Sequence, residues 1–520
     1  MWLVNRWNRA GGRVVYRRRC TGVHRDRNPM FPETATAGTT SPTSDDRAAP
    51  LAAMRAAFDR MRAASRRDAF PPLSVRSNRL ARLAKMTRRH AQDIIEAISA
   101  DFGNRSTHET LIADLLAVDE SIRHAERHLR RWMSPKRVPT GIKYRPGYNR
   151  LIPQPLGLVG IVAPWNYPYQ LSMLPAVAAL AAGNRVMIKP SEVTPRTADL
   201  MARIVDETFG DDEVRVIPGD AAIGKAFVEL PFDHLFFTGS AAVGRMVAQA
   251  AAKNLTPVTL ELGGKSPVIV DAESDFAKIM PMIAIGKLFN AGQTCIAPDY
   301  ALVPRVRVEE FVEAMQRAVA KLYPTLANNF DYSSIVSERH YARLNALVED
   351  ARSSGAKVIE INPASEKLDP AARKIAPTLV VGAGGAAAVV REEIFGPLFP
   401  IVGYDAIDDA IRYVNERPRP LALYWFGDNA ANRDRVLHGT LAGGVTVNGC
   451  LSHFAQEAQP FGGVGESGYG TYHGEYGFRT FSKEKPVYYQ SRLGLLPMLL
   501  PPYGRRLDAV LAWFKRGGAR

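Results

Sequence analysis

A chain of 520 residues is longer than one ordinary core can fill, so two or three domains are expected. With 46% hydrophobic and 23% charged residues, the composition is that of a globular protein and argues against a disordered or fibrous chain. The net charge of +15 includes no Lys/Arg block interleaved with aromatic residues, which argues against nucleic acid as a partner; no apolar run approaches the roughly 18 residues of a transmembrane segment.

The first 30 residues carry much of the basic excess: Arg6, Arg9, Arg13, Arg17, Arg18, Arg19, Arg25 and Arg27 face one acid, Asp26. Arg6 and Arg9 interrupt any secretory h-region. With the small, polar stretch "TATAGTTSPTSDD", residues 1–47 are expected to be a disordered Arg-rich extension, or residues upstream of the true start. Cys20, Cys295 and Cys450 form neither a metal-ligand spacing nor a disulfide framework, so a reducing compartment, the cytoplasm, is expected and no metal site.

From Ala48, apolar residues recur at three- and four-residue spacing. The spacing predicts helices over 51–64, over 76–103 with Gly103 as the stop, and over 109–133. "SPKRVPTGIKYRPGYNRLIPQPLG" breaks that pattern as a linker or an extended arm. Then strands and helices alternate: strands "LGLVGIVAP", "RVMIKP", "EVRVIPG" and "HLFFTG", helices "LPAVAALAAGN", "TADLMARIVDETFG" and "AVGRMVAQAAAKN". Alternation predicts a parallel sheet covered on both faces, the doubly wound plan with ligands at the carboxyl ends of its strands. A second alternating region starts at "SPVIVD", giving two α/β domains.

Chemistry-bearing residues fall at strand ends. "LFFTGSAAVG" ends a strand at Thr238 and opens a helix after Gly239 and Ser240, a place for a pyrophosphate, although Gly239 and Gly244 do not make G-x-G-x-x-G. "IKPSE" puts Lys189 and Glu192 at a sheet edge, where they can hold ribose hydroxyls or form a solvated ion pair. "LELGG" sets Glu261 among apolar residues, where desolvation favours a general base or a structural carboxyl. "APWNYP" fixes Asn166 between prolines, as an oxyanion donor or a turn residue. In "FNAGQTCIAP", Cys295 needs a lowered pKa or a neighbouring base to act as a nucleophile, and Ala291 and Gly292 leave room for substrate.

Taken in order with "EEIFGP" and "PFGGVGESG", these stretches resemble the NAD(P)-dependent aldehyde dehydrogenase superfamily from about Ala48 to the C-terminus. "DFGNRSTHET", "AGQTCIAPDY", "LALYWFG" and "YHGEYGFRTFSKEKPV" resemble its class-3-like branch, and within it the bacterial coniferyl aldehyde dehydrogenases; Gln459 departs from the Leu usual before "PFGG". The resemblance implies an α/β fold with a Rossmann-like NAD-binding domain (48–132 and 158–260), a catalytic domain (261–475), and a dimerisation arm with a C-terminal capping segment (133–157 and 476–520). It implies NAD-dependent oxidation of an aldehyde, with NADP as the other admissible cofactor, by a homodimer. The substrate implied is an aromatic, coniferyl-type aldehyde, with a medium- or long-chain fatty aldehyde as the alternative. Cys295 would be the nucleophile, Glu261 the base and Asn166 the oxyanion donor. Trp165, Lys189, Glu192, Gly219, Gly239, Ser240, Gly244, Glu393 and Phe395 would hold the cofactor. Apart from the resemblance, Leu507, Val510, Leu511 and Phe514 fall at helical spacing on one side of "RRLDAVLAWFKR", which predicts a short helix that packs by the substrate entrance or else lies on a membrane surface.

Overall fold

A computed structural model describes residues 44–493 and 500–517. Most of the expected extension lies outside the described residues; the first helix, Ser44–Arg67, begins a little ahead of Ala48. The expected helix over 76–103 is two helices, Leu73–Arg89 and Ala91–Phe102, broken at His90. The apolar periodicity runs through the break because both helices turn their apolar side to one core, which holds Leu80, Leu83, Ile94 and Ile98. The third helix contains a π-helical turn, Leu111–Leu116, ahead of its long segment Ala117–Met133.

Six strands form the first sheet, in the order Gly468–Tyr469, Val258–Glu261, His234–Thr238, Leu158–Val162, Arg185–Lys189, Val214–Val216. All are parallel except the short Gly468–Tyr469, which pairs antiparallel with Val258–Glu261. The chain builds outward from Leu158–Val162 in one direction, then returns to lay His234–Thr238 on its other side. That reversal opens a crevice beyond the carboxyl ends of the two strands. The helix Gln170–Ala182 is buried along its whole length, which is why its sequence is apolar all round.

The second sheet has seven strands, in the order Lys357–Glu360, Thr378–Val381, Leu398–Tyr404, Tyr300–Pro304, Pro267–Val270, Ala422–Phe426, Gly444–Val447, parallel but for the first. Val258–Glu261 ends in the first sheet and Pro267–Val270 begins in the second, so the Gly263–Gly264 link joins them. A third, antiparallel sheet joins Lys136–Val138, Tyr148–Pro155 and Ser482–Tyr489. The fold is thus α/β, with a doubly wound sheet, a second α/β sheet and a small antiparallel one. The helix Arg505–Gly517 forms where expected; of its expected apolar side, Leu511 is exposed.

Candidate active site

The crevice beyond the first sheet becomes a cavity of about 230 Å³. Strand Leu158–Val162 delivers Pro164, Trp165 and Asn166 to its wall, and strand His234–Thr238 delivers Thr238, Gly239 and Ser240. Glu261 and Cys295 close the inner wall, and Glu393 and Phe395 come from the loop between helix Ala388–Arg391 and strand Leu398–Tyr404. Lys189, Glu192, Gly219 and Gly244 lie outside this wall. Lys189 ends the neighbouring strand, donates to Pro190 O at 2.6 Å and sits 3.9 Å from Glu192. Gly244 is a packing position, since a Cβ there would meet Leu262 Cδ2 at 2.7 Å. At Gly219, φ is +142° and a Cβ would meet Ile223.

A second cavity of about 330 Å³ meets the first at Cys295 and Leu171. Its wall is apolar and aromatic: Tyr167, Leu174, Phe289, Ile296 and Phe454 line it, with Tyr167 and Phe289 near-parallel at 6.5 Å. The π-helical turn places Ile112 and Leu116, both half exposed, at its rim. Glu457 and His473 supply polar groups. Gln459 is exposed and lines neither cavity.

Asn166 is 2% exposed, and its Nδ2 donates to Gln293 O at 3.1 Å. An amide carries two N–H groups, so that bond fixes the side chain and leaves the second N–H as a donor. Thr238 pairs with Glu261 across the sheet, and Gly239 N–H donates to Glu261 O at 3.0 Å, so Glu261 and the turn at Gly239 share one frame. Neither carboxyl oxygen of Glu261 has a hydrogen-bond partner; burial pushes its pKa well above the usual carboxylate range. Glu393 accepts from Gly264 N–H at 3.1 Å and is pushed up to about 7 by burial.

Burial, with the charges of Glu393 and Glu261, pushes the Cys295 thiol up to about 12, so of the two conditions for a nucleophile the lowered pKa is not met and the neighbouring carboxyl, Glu261, is the one present. One expectation is corrected here: Ala291 and Gly292 line neither cavity. Asn290, Ala291 and Gly292 have φ of 53°, 51° and 76°, and a Cβ on Gly292 would overlap the Gly396 carbonyl. Ala291 packs with Ile335 and Leu344. These residues are small because the chain makes a left-handed turn against protein, not because substrate passes them.

Sequence reasoning missed His340 and Arg343, which also line the first cavity. Trp165 lies between His340 at 4.8 Å and Phe395 at 5.4 Å, and Arg343 donates to the Glu393 and Ile394 carbonyls. The two sit at i and i+3 on helix Glu338–Ser353, whose serine cap, Ser337, was the available signal.

The wall of the first cavity suits one end of a dinucleotide. The 12-residue helix Ala241–Ala252 points its N-terminus at it. A Cβ on Gly239 would meet the Phe237 ring at 2.6 Å, and one on Gly263 would overlap the Glu393 carboxyl. Bare backbone is therefore what this wall requires. Among the described residues no cluster of metal-ligating side chains occurs, and no helix is long and apolar enough to cross a membrane.

The model of the aldehyde dehydrogenase family matches residues 25–487. The coniferyl aldehyde dehydrogenase of Pseudomonas sp. strain HR199 is 46% identical over 471 residues, 89% of this chain and 97% of that protein. The substrate-bound structure of an aldehyde dehydrogenase from Staphylococcus aureus superposes with a TM-score of 0.83 at 37% identity, covering 89% of this chain and 99% of that one. An indole-3-acetaldehyde dehydrogenase solved with NAD+ shares the fold, with a TM-score of 0.77 at 24% identity over 85% of this chain and 89% of that one.

Proposed function

Since this chain belongs to the aldehyde dehydrogenase family, we propose that it oxidises an aromatic aldehyde to the carboxylic acid, with NAD as cofactor and Cys295 as nucleophile. The observation that carries this reading is the meeting of two unlike cavities at Cys295: one glycine-walled at a helix N-terminus, the other apolar and aromatic. An aldehyde bound in the second cavity would reach the sulfur, and the first cavity, where the nicotinamide would be held, shares that residue. The flat walls at Tyr167, Phe289 and Phe454, and the 46% identity to a coniferyl aldehyde dehydrogenase, support an aryl substrate.

The thiol first gives up its proton to solvent. Sγ then bonds to the carbonyl carbon, and the oxygen takes up negative charge. The Asn166 Nδ2 N–H and the Cys295 backbone N–H hold that oxygen. When bound, NAD supplies the acceptor for the hydride that leaves this carbon. A thioester on Cys295 remains. Glu261, in its ionised form, takes a proton from water, the water oxygen adds to the thioester carbon, and the acid departs as that proton passes to the sulfur and the thiol re-forms. Trp165, Gly239, Ser240, Glu393 and Phe395 would hold the nicotinamide half of the cofactor. Lys189 and Glu192 would hold the adenosine ribose outside the cavity. On this reading the six-stranded sheet belongs to the cofactor domain and the seven-stranded sheet to the catalytic domain. Free thiols at Cys295 and Cys450 support a cytoplasmic setting.

A steady-state screen of aryl and straight-chain aldehydes with NAD and NADP tests the reading. We expect kcat/KM for aryl aldehydes to exceed that for aliphatic ones by about tenfold or more. A preference for medium- or long-chain aliphatic aldehydes would establish the alternative substrate class. Glu261→Gln, mixed with NAD and excess aldehyde, should release close to one NADH per site in a burst and then turn over slowly. Absence of the burst would place Glu261 in the acylation step instead.

A further inference from the structure

We propose that Arg105 and Glu109, which line neither cavity, are positioning residues: together they hold the turn that carries Cys295 and the backbone of Asn166 in one fixed relation. The proposal rests on the assignment of Cys295 and Asn166 made above.

The turn at Asn290–Gly292 is three consecutive left-handed residues, two of which bear a Cβ, so the conformation persists only where its surroundings over-determine it. Glu109 is one such constraint. Its Oε2 accepts from the Asn290 N–H at 3.1 Å and from Ser333 Oγ at 2.9 Å. Without it, a buried N–H inside the strained turn has no acceptor. Asn290 passes the constraint on, because its Nδ2 donates to Asn166 O at 3.0 Å and to Gln293 O at 3.2 Å. Gln293 O is also what the Asn166 side-chain amide holds at 3.1 Å. Two residues after Gln293 comes Cys295.

Arg105 fixes the other side of the same joint. Its Nη1 donates to Asn166 O at 2.9 Å, so both lone pairs of that carbonyl are engaged. The guanidinium is fully buried, lies 4.6 Å over the Tyr167 ring, and has its charge balanced by Asp114 at 3.2 Å. Asp114 in turn accepts from the Gln170 N–H at 3.0 Å, at the start of the helix after Asn166. The segment Arg105–Asp114 therefore touches, from outside, the chain just before the nucleophile and the chain at and just after the oxyanion donor. Burial pushes Glu109 up to about 7, consistent with one oxygen serving two donors while the other carries a proton part of the time.

Four full-length variants test this: Glu109→Ala, Glu109→Asp, Glu109→Gln and Arg105→Lys, each confirmed folded by a cooperative melt. The readouts are kcat, KM for each substrate, and the rate at which iodoacetamide alkylates Cys295. Displacing a reacting group by an ångström carries a penalty of up to about a hundredfold, so Glu109→Ala and Glu109→Asp should each lower kcat by about tenfold or more. KM for NAD should stay within about twofold, because neither Arg105 nor Glu109 bonds Trp165, Gly239, Ser240, Glu393 or Phe395, the residues that would hold the cofactor. Glu109→Gln keeps an acceptor oxygen in place and should recover kcat to within about threefold of wild type. Arg105→Lys lacks the planar fork and should lower kcat like Glu109→Asp. Alkylation rates should follow kcat across the series. If Glu109→Ala does not fold, the contrast between Glu109→Asp and Glu109→Gln decides. The proposal is overturned if Glu109→Asp keeps kcat within about twofold of wild type, or if Glu109→Gln loses as much as Glu109→Asp. Cys295→Ala separates the two levels. If that variant is inactive while all Glu109 variants are normal, only the positioning role fails; if it turns over normally, the assignment of the nucleophile fails.

Discussion

At the scale of single residues, the nucleophile proposed here, Cys295, sits in an environment that opposes ionisation. A thiol pushed up to about 12 is almost wholly protonated at neutral pH, so its resting reactivity should be low. We expect iodoacetamide to alkylate Cys295 in the cofactor-free protein well below the rate of a free thiol at pH 7.5, rising steadily through pH 9; a plateau below pH 8 would contradict the thiol's environment. Cys450 differs. It is buried against Gly286, where a Cβ would meet its own Cβ and Sγ, and burial raises its pKa as well. It is a packing residue. Cys450→Ala should leave NADH production intact, whereas Cys295→Ala should abolish it.

At the scale of elements, the turns do more of the positioning than the strands. Gly292 has φ of 76° and its α-hydrogens face the Gly396 carbonyl. Gly292→Ala adds both strain and overlap, so we expect it to destabilise the protein by about 2 kcal/mol or more. Urea unfolding measures that loss, and kcat should fall with it because Cys295 lies three residues on. The strand end at Lys189 gives a second expectation. Glu192 sits 3.9 Å from Lys189, and a carboxylate there repels a 2′-phosphate while the lysine offsets it in part. Glu192→Gln should raise the NADP/NAD ratio of kcat/KM; an unchanged ratio would remove Glu192 from the cofactor site.

At the scale of the whole molecule, several acids are buried without a cation sufficient to hold them ionised. Glu109, Glu393 and Glu457 are each pushed up to about 7, in every case chiefly by burial. In the unfolded chain they titrate near 4.3. Between those values the folded state binds more protons, so stability is fully present below about pH 4.3 and is lost as pH rises through about 7. For one such group the loss is on the order of 3 kcal/mol. We therefore expect Glu393→Gln, which cannot ionise, to gain in melting temperature relative to wild type from pH 5 to pH 8; a difference that stays constant over that range would exclude Glu393 as a source. The antiparallel sheet of Lys136–Val138, Tyr148–Pro155 and Ser482–Tyr489 leaves Ile142 and Tyr144 exposed on its connecting loop, with Tyr488 and Tyr489 partly so. We propose this arm as the homodimer contact, and sedimentation equilibrium should give twice the chain mass; a monomer at micromolar concentration would refute it.

Local chemistry set much of this protein in advance of its folding. Buried strands such as Leu158–Val162 and His234–Thr238 appear in the sequence as apolar runs bounded by Gly and Pro, and their alternation with helices dictates a parallel sheet. The strand-end residues Asn166, Gly239 and Glu261 could be picked out because a polar or glycine residue closing an apolar run is locally conspicuous, and Cys295 because it is a cysteine among small, polar neighbours after a helix. Helix Glu338–Ser353 brings His340 and Arg343 to the site, and nothing local marks them, since what the helix faces is decided by distant packing. The break at His90 was hidden because a turn that keeps the apolar side inward leaves the periodicity unchanged. The smallness of Ala291 and Gly292 was visible, but its cause, a left-handed turn against Gly396, exists only once strand and loop have met. Charge followed the same division. That Glu261 sits among apolar neighbours is written in the chain, but the pKa of Cys295 and the span from Arg105 and Glu109 to Asn166 and Asn290 depend on which buried groups the fold sets side by side, and desolvation and hydrogen bonding act through space rather than along the sequence.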